Sequence, residues 1–161
     1  MTLAVSAEPF DSPAARALLA ALDAHLSERY PPAQRFGPNL SREQTESGRG
    51  VFLVARLEGR PVGCGAIRLL DGGSAEVKRM WVDPAVRGQG VARAVLTRLQ
   101  DRALELGATR LVLETGIYQT EAIGLYRSGG FEIVDCWGEY AGSPTSLCMA
   151  KPIARMLGPT D

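Results

Sequence analysis

The chain has 161 residues, 45% of them hydrophobic, enough for one globular domain with its own core and no second domain. Lys plus Arg and Asp plus Glu number 18 each, so no basic field is present to hold nucleic acid. No apolar run reaches the length of a membrane span, and the N-terminus lacks the charged and apolar regions of a signal peptide. Cys64, Cys136 and Cys148 are odd in number, far apart and without a CxxC pair, and His25 is the one histidine. That usage points to neither a disulfide framework nor a metal site, and predicts a reduced, cytoplasmic protein.

Thr2 to Ala7 alternates weakly, as a strand does. Ser12-Pro13 is an N-cap followed by proline at the first helical position. Ala14, Leu18, Leu22 and Leu26 recur every four residues, which predicts a helix to about Tyr30, stopped by Pro31-Pro32. Residues 33–50 are polar and turn-rich, with one helical turn at Ser41 to Glu46. Val51 to Leu57, Pro61 to Leu70 and Ser74 to Val82 read as three antiparallel strands joined by Glu58-Gly59-Arg60 and Asp71-Gly72-Gly73. Strict alternation on the third puts Glu76, Lys78, Met80 and Val82 on one face and Val77, Arg79 and Trp81 on the other. A helix from Gly90 to Leu106 carries Val91, Val95, Leu99, Ala103 and Leu106 on one stripe and ends at Gly107. Arg110 to Glu114 is a short buried-type strand, Thr120 caps a helix through Tyr126, and Phe131 to Val134 and Leu147 to Lys151 are final strands. The domain spans 1–153, with a tail at 154–161 that is expected to fray.

The loop Arg87-Gly88-Gln89-Gly90-Val91-Ala92 follows a strand and opens a helix. Helix N-termini carry unpaired N–H groups and partial positive charge, so the segment reads as an anion cradle. A phosphate loop of the Walker type needs Gly-Lys-Ser/Thr where Gly90-Val91-Ala92 stands. A dinucleotide fingerprint needs a third glycine where Arg93 stands, and a parallel strand unit before it. Arg87-x-x-Gly90-x-Ala92 resembles the pyrophosphate loop of the GNAT superfamily of N-acetyltransferases. Glu76 to Pro84 looks like that family's fourth strand, Leu111 to Thr115 like its fifth, and Gln119 to Phe131 like its Asn-x-x-Ala-x-x-x-Tyr-x-x-x-Gly-Phe helix. Gln119 stands in place of the asparagine, keeping a carboxamide and adding a methylene.

The resemblance implies a single-domain α/β fold with a mixed, mainly antiparallel sheet flanked by helices, its fourth and fifth strands splayed. It implies acetyl-CoA as donor and a primary amine of a small molecule or peptide as acceptor, with direct attack in a ternary complex and no metal. Gly88 to Ala92 would hold the pyrophosphate, with Arg87 adding charge. Met80, Trp81 and Val82 would offer the strand edge to the pantetheine amides, and Gln119 would meet the same arm. Tyr126 is the candidate general acid, Glu76 the first candidate base and Glu114 the second. Each has a plain alternative: a tight turn for the loop, a core aromatic for Tyr126, solvated charges for Glu76 and Glu114, a surface histidine for His25, and core packing for Cys64 and Cys148. Trp137 and Tyr140 fit either an acceptor pocket or a dimer contact. The rival from another class is a non-catalytic acyl-CoA-binding module. Homodimers are common in the family.

Overall fold

The computed structural model describes residues 2–32, 42–45 and 48–153. Its seven strands are β1 (Leu3–Ala7), β2 (Gly50–Leu57), β3 (Arg60–Leu69), β4 (Ser74–Val82), β5 (Arg110–Gly116), β6 (Glu132–Val134) and β7 (Ser146–Pro152). They form one sheet in the order β1-β2-β3-β4-β5-β7-β6. The helices are α1 (Pro13–Arg29), the single turn α2 (Arg42–Thr45), α3 (Val91–Glu105) and α4 (Thr120–Ser128). The mixed sheet expected from the sequence is present: β4 and β5 pair in parallel and the remaining neighbours are antiparallel. The expected tail, and most of the 33–50 connection, lie outside the described residues.

The uninterrupted apolar run of β2 is explained by helices on both faces. Val51, Leu53 and Ala55 join the main core with Val95 and Leu99 of α3, while Phe52 and Val54 join a second cluster with Ala15 and Leu18 of α1. A strand covered on both sides needs no polar face. Ser12 caps α1 by accepting from the Ala15 N–H at 3.1 Å, as its position predicts. Thr120 does not cap α4. Gln119 holds the N-cap position and makes no capping hydrogen bond, because its carboxamide reaches α1 instead.

Strict alternation fails on β4. Ala66 pairs with Lys78, but Cys64 pairs with Trp81, so two residues of β3 span three of β4. Arg79 absorbs the extra residue at φ 59°. A one-residue slip moves every later side chain to the opposite face. Ala75 and Val77, then Met80 and Val82, therefore face α3. On the other side lie Glu76 and Lys78, then Arg79, which pairs with Asp23 of α1, and Trp81, which packs with the α1 cluster.

The parallel ladder between β4 and β5 runs from Ser74/Arg110 to Val77/Leu113 and stops there, although both strands continue. The strands splay beyond that rung. The cysteine expectation is overturned: Cys136 and Cys148 are joined by a disulfide, with Cα atoms 5.1 Å apart, leaving Cys64 free and buried. Pairing of β6 with β7 sets Val134 opposite Cys148, which carries Cys136 alongside it. The cysteines thus no longer argue for a reduced compartment. Among the described residues no helix is long and apolar enough to cross a membrane, and no cluster of potential metal ligands is present.

Candidate active site

A cleft of about 550 Å³ opens where β4 and β5 part. Of the residues singled out in the sequence, Glu76, Met80, Trp81, Val82, Arg87, Gly88, Gly90, Val91, Ala92, Gln119 and Tyr126 line it, and Gln89 does not. Its two ends differ in chemistry.

At one end β4 runs into a helical turn at Pro84–Val86, held by Asp83, whose carboxylate accepts from the Ala85 N–H at 2.9 Å. Gly88 and Gly90 follow, both at φ 83°, a left-handed conformation that favours glycine. A Cβ at either would meet nothing within 4 Å, so the loop faces open space. Gly90 is the N-cap of α3 and brings no side chain to its first amides. Those donors and the helix dipole are left for an anion. Arg87 sits over the Trp81 ring at 5.0 Å, donates from Nε to the Val82 carbonyl at 3.3 Å, and lies 3.7 Å from Glu121 of α4. The guanidinium therefore stands at the mouth, between the loop and α4. From Lys78 to Val82 the β5-facing edge of β4 has no strand partner among the described residues, which suits a chain of amides.

At the other end charged groups are buried. Glu76 is 1% exposed. Its Oε1 accepts from Nε and Nη2 of Arg68, each at 2.8 Å, and its Oε2 accepts from the Tyr140 hydroxyl at 2.6 Å. Lys78 donates to the same hydroxyl at 3.2 Å and lies 3.9 Å from Glu76 Oε2. Burial pulls the Lys78 ammonium below the usual lysine range, against the opposing pull of Glu76. Glu114 accepts from Ser146 at 2.6 Å on Oε2, and its Oε1 takes no hydrogen bond from a described residue. Burial raises its carboxyl above the usual carboxylate range, with the Ser146 bond and Lys78 opposing. Tyr126 lies 5% exposed on α4, its ring edge-on to Phe131 at 5.6 Å. Burial, and to a lesser degree the charge of Glu114, push its phenol well above the ordinary tyrosine range.

Several wall residues carried no local signal. His25 is not a plain surface histidine: it is half-buried, donating to or accepting from Gln119 Oε1 at 3.1 Å and packing on Trp81 at 5.2 Å. Residues 94 apart in sequence meet here, so no short pattern announces the pair. Tyr30 accepts from the Tyr118 N–H at 3.2 Å and lies so close to Gly116 that a Cβ there would stand 1.8 Å from its hydroxyl oxygen. Gly116 is a close-approach glycine that lets α1 and β5 meet at the back of the cleft. Trp137 packs edge-on to Tyr140 at 5.5 Å and supports it from behind.

The comparisons agree with this geometry. The family model described as acetyltransferase (GNAT) family matches residues 18–131. The chain is 43% identical over 138 residues to an "IAA acetyltransferase" of Azospirillum brasilense, covering 84% of this chain and 88% of that protein. The crystal structure of a candidate acyl-CoA N-acyltransferase from Klebsiella pneumoniae superposes with a TM-score of 0.81 at 31% identity, covering 95% of this chain and 99% of that one. PaiA N-acetyltransferase from Thermoplasma acidophilum, in complex with coenzyme A, shares the fold at a TM-score of 0.70 and 13% identity, covering 94% and 99%. With a matched family model, a splayed β4–β5 pair and an uncapped glycine loop at the head of α3, the chain belongs to the GNAT family and is an N-acetyltransferase.

Proposed function

We propose that this enzyme moves an acetyl group from acetyl-CoA to a primary amine of a small molecule or peptide, with both substrates bound together. The observation that carries the reading is the fork beyond Val77/Leu113. It leaves a strand edge of β4 open between an anion-binding loop on one side and Tyr126 with Glu114 on the other. The coenzyme A named with the Thermoplasma neighbour is consistent with that layout. In this reading Gly88 to Ala92 hold the pyrophosphate through backbone N–H groups, Arg87 adds charge, Met80 to Val82 pair with the pantetheine amides, and Gln119 borders the arm. Acetyl-CoA supplies an activated thioester carbonyl that an amine attacks without a protein nucleophile.

The residues of the chain divide the proton work. Tyr126 keeps its proton at neutral pH, because burial disfavours the phenolate, and so offers an acid at Oη. The acceptor arrives as an ammonium and must lose a proton. Glu76 has both oxygens engaged, so we assign it to positioning: it holds Tyr140 and Lys78 at the fork. Glu114 lines the cleft with one oxygen taking no hydrogen bond from a described residue, and its raised proton affinity suits a base working closer to neutrality.

Tyr126→Phe tests the reading together with an amine panel read by mass spectrometry. Acetyl-CoA raises the melting temperature of both proteins equally, and kcat falls about 10²–10⁴-fold in the variant. Equal turnover by the two proteins sinks the acid assignment. Acetyl-CoA binding with no acetylated amine from the native enzyme sinks the transfer reading and favours a binding module.

A further inference from the structure

The charges around the fork do not all cancel. Glu76 is matched by Arg68, and Arg79 is matched by Asp23. Lys78 has only a long ion pair to Glu76, which Arg68 already holds, and Glu114 has a hydroxyl partner but no cation within 4.0 Å among the described residues. The last rung of the parallel ladder joins Val77 to Leu113, so these two residues are the next pair in register, one on each splaying strand. They share the face that carries Glu76 and Val112, away from the core cluster holding Val77 and Leu113. Yet they form no ion pair within 4.0 Å of one another, and the strands diverge between them. The Lys78 side chain is only 4% exposed, and of its three N–H groups one meets Tyr140 while Glu76 stands at a long 3.9 Å. Glu114 takes its hydrogen bond from Ser146 on Oε2, and its Oε1 takes none from a described residue. Both line the same cleft as Tyr126.

Lys78, buried, and Glu114, half-buried, form no ion pair within 4.0 Å, and their mutual attraction leaves part of the desolvation energy unrecovered. A ligand that places a carboxylate near the cation and an ammonium near the carboxylate recovers it for both. An acceptor with only an amine leaves Lys78 with no more than its long contact to Glu76 and the Tyr140 hydroxyl, and rejection of analogues that leave a buried polar group poorly paired is the strongest form of selectivity open to a site. We infer that the acceptor is a zwitterionic amino acid, its α-ammonium beside Glu114 and its carboxylate on Lys78, with Lys78 as the specificity-determining residue. This rests on the amine-acetylation reading above and narrows its substrate class.

The decisive experiment compares free amino acids with their carboxamides and their decarboxylated amines, using the full chain, acetyl-CoA and mass detection. For the best acceptors the free acid exceeds its carboxamide in kcat/KM by about tenfold or more. Lys78→Met, similar in length and apolar, brings that ratio to about one by raising KM for the acid more than for the carboxamide. Lys78→Arg keeps the preference. Melting temperature and acetyl-CoA affinity report whether each variant is folded, and if Lys78→Met is not, the substrate series on the native enzyme decides alone. Carboxamides or plain amines acetylated as well as the acids, or a preference that survives in folded Lys78→Met, overturn the inference while leaving amine acetylation intact. Acetyl-CoA bound with no acceptor turned over removes the acetylation reading and this inference with it.

Discussion

The two halves of the β4–β5 pair are built for opposite purposes. From Ser74 to Val77 the strands are laddered to Arg110 to Leu113, and the inward side chains are alanine, valine and leucine in the main core. From Lys78 and Glu114 onward the ladder is gone, the β4 backbone bulges at Arg79, and charged groups occupy the α1-facing side. The closed half carries stability through burial and paired amides. The open half gives up those hydrogen bonds and holds its charges in place with partners from α1 and the 136–146 segment. The lesson is that substitutions in the closed half should read out in unfolding, and those in the open half in turnover.

The largest effect that sharpens this contrast belongs to Glu114. With its carboxyl raised by burial, the reactive ionised form grows in as pH rises through a value above the ordinary carboxylate range, so kcat at saturating amine climbs there. Glu114→Gln removes that ascending limb and lowers kcat about 10²–10⁴-fold with little change in melting temperature; an intact limb in the variant assigns the proton transfer elsewhere. Leu111→Ala is its counterpart in the closed half. Leu111 is fully buried, so the truncation costs about 2–5 kcal/mol in chemical denaturation, while KM for acetyl-CoA stays put. A variant that loses acetyl-CoA affinity at full stability contradicts the division.

Next in size is Cys136→Ser. The disulfide closes a 12-residue separation, and its loss costs about 3 kcal/mol by loop entropy. Its loop carries both Tyr140 and Ser146, the hydroxyl partners of Glu76 and Glu114, so this variant should lower stability and kcat together, crossing the divide between the halves. Thiol titration of the denatured native protein without reductant should find one free thiol, that of Cys64; three would show the bridge is not formed. Smallest is Arg87→Ala. The guanidinium is partly exposed at the cleft mouth and already shared with Glu121, so acetyl-CoA affinity drops only a few-fold, less at high salt. A hundredfold loss in calorimetry would make Arg87 a central anchor.

Much of the donor end was legible in the chain because its parts are contiguous. Arg87 to Ala92 follow one another, their left-handed glycines are a local backbone requirement, and the helix after them announces itself by period. The acceptor end was not, because its members come from α1, β3, β4, β5 and the 136–146 loop. The sequence makes Glu76 the first candidate base and carries no sign that Arg68 and Tyr140 engage both its oxygens. The faces of β4 were misassigned past Lys78 because a single-residue bulge leaves no mark in an alternating pattern.

By itself, then, the sequence determined the order and type of the elements, the glycine loop and the helix bearing Tyr126, since each follows from interactions within a few residues or one turn. Only the tertiary structure decided where the β4–β5 ladder ends, that Cys136 meets Cys148, that His25 meets Gln119, and that Lys78 and Glu114 flank the fork without pairing with each other. Those are outcomes of register between strands and of which helix covers which face, and such long-range pairings are settled by the packing of the whole domain.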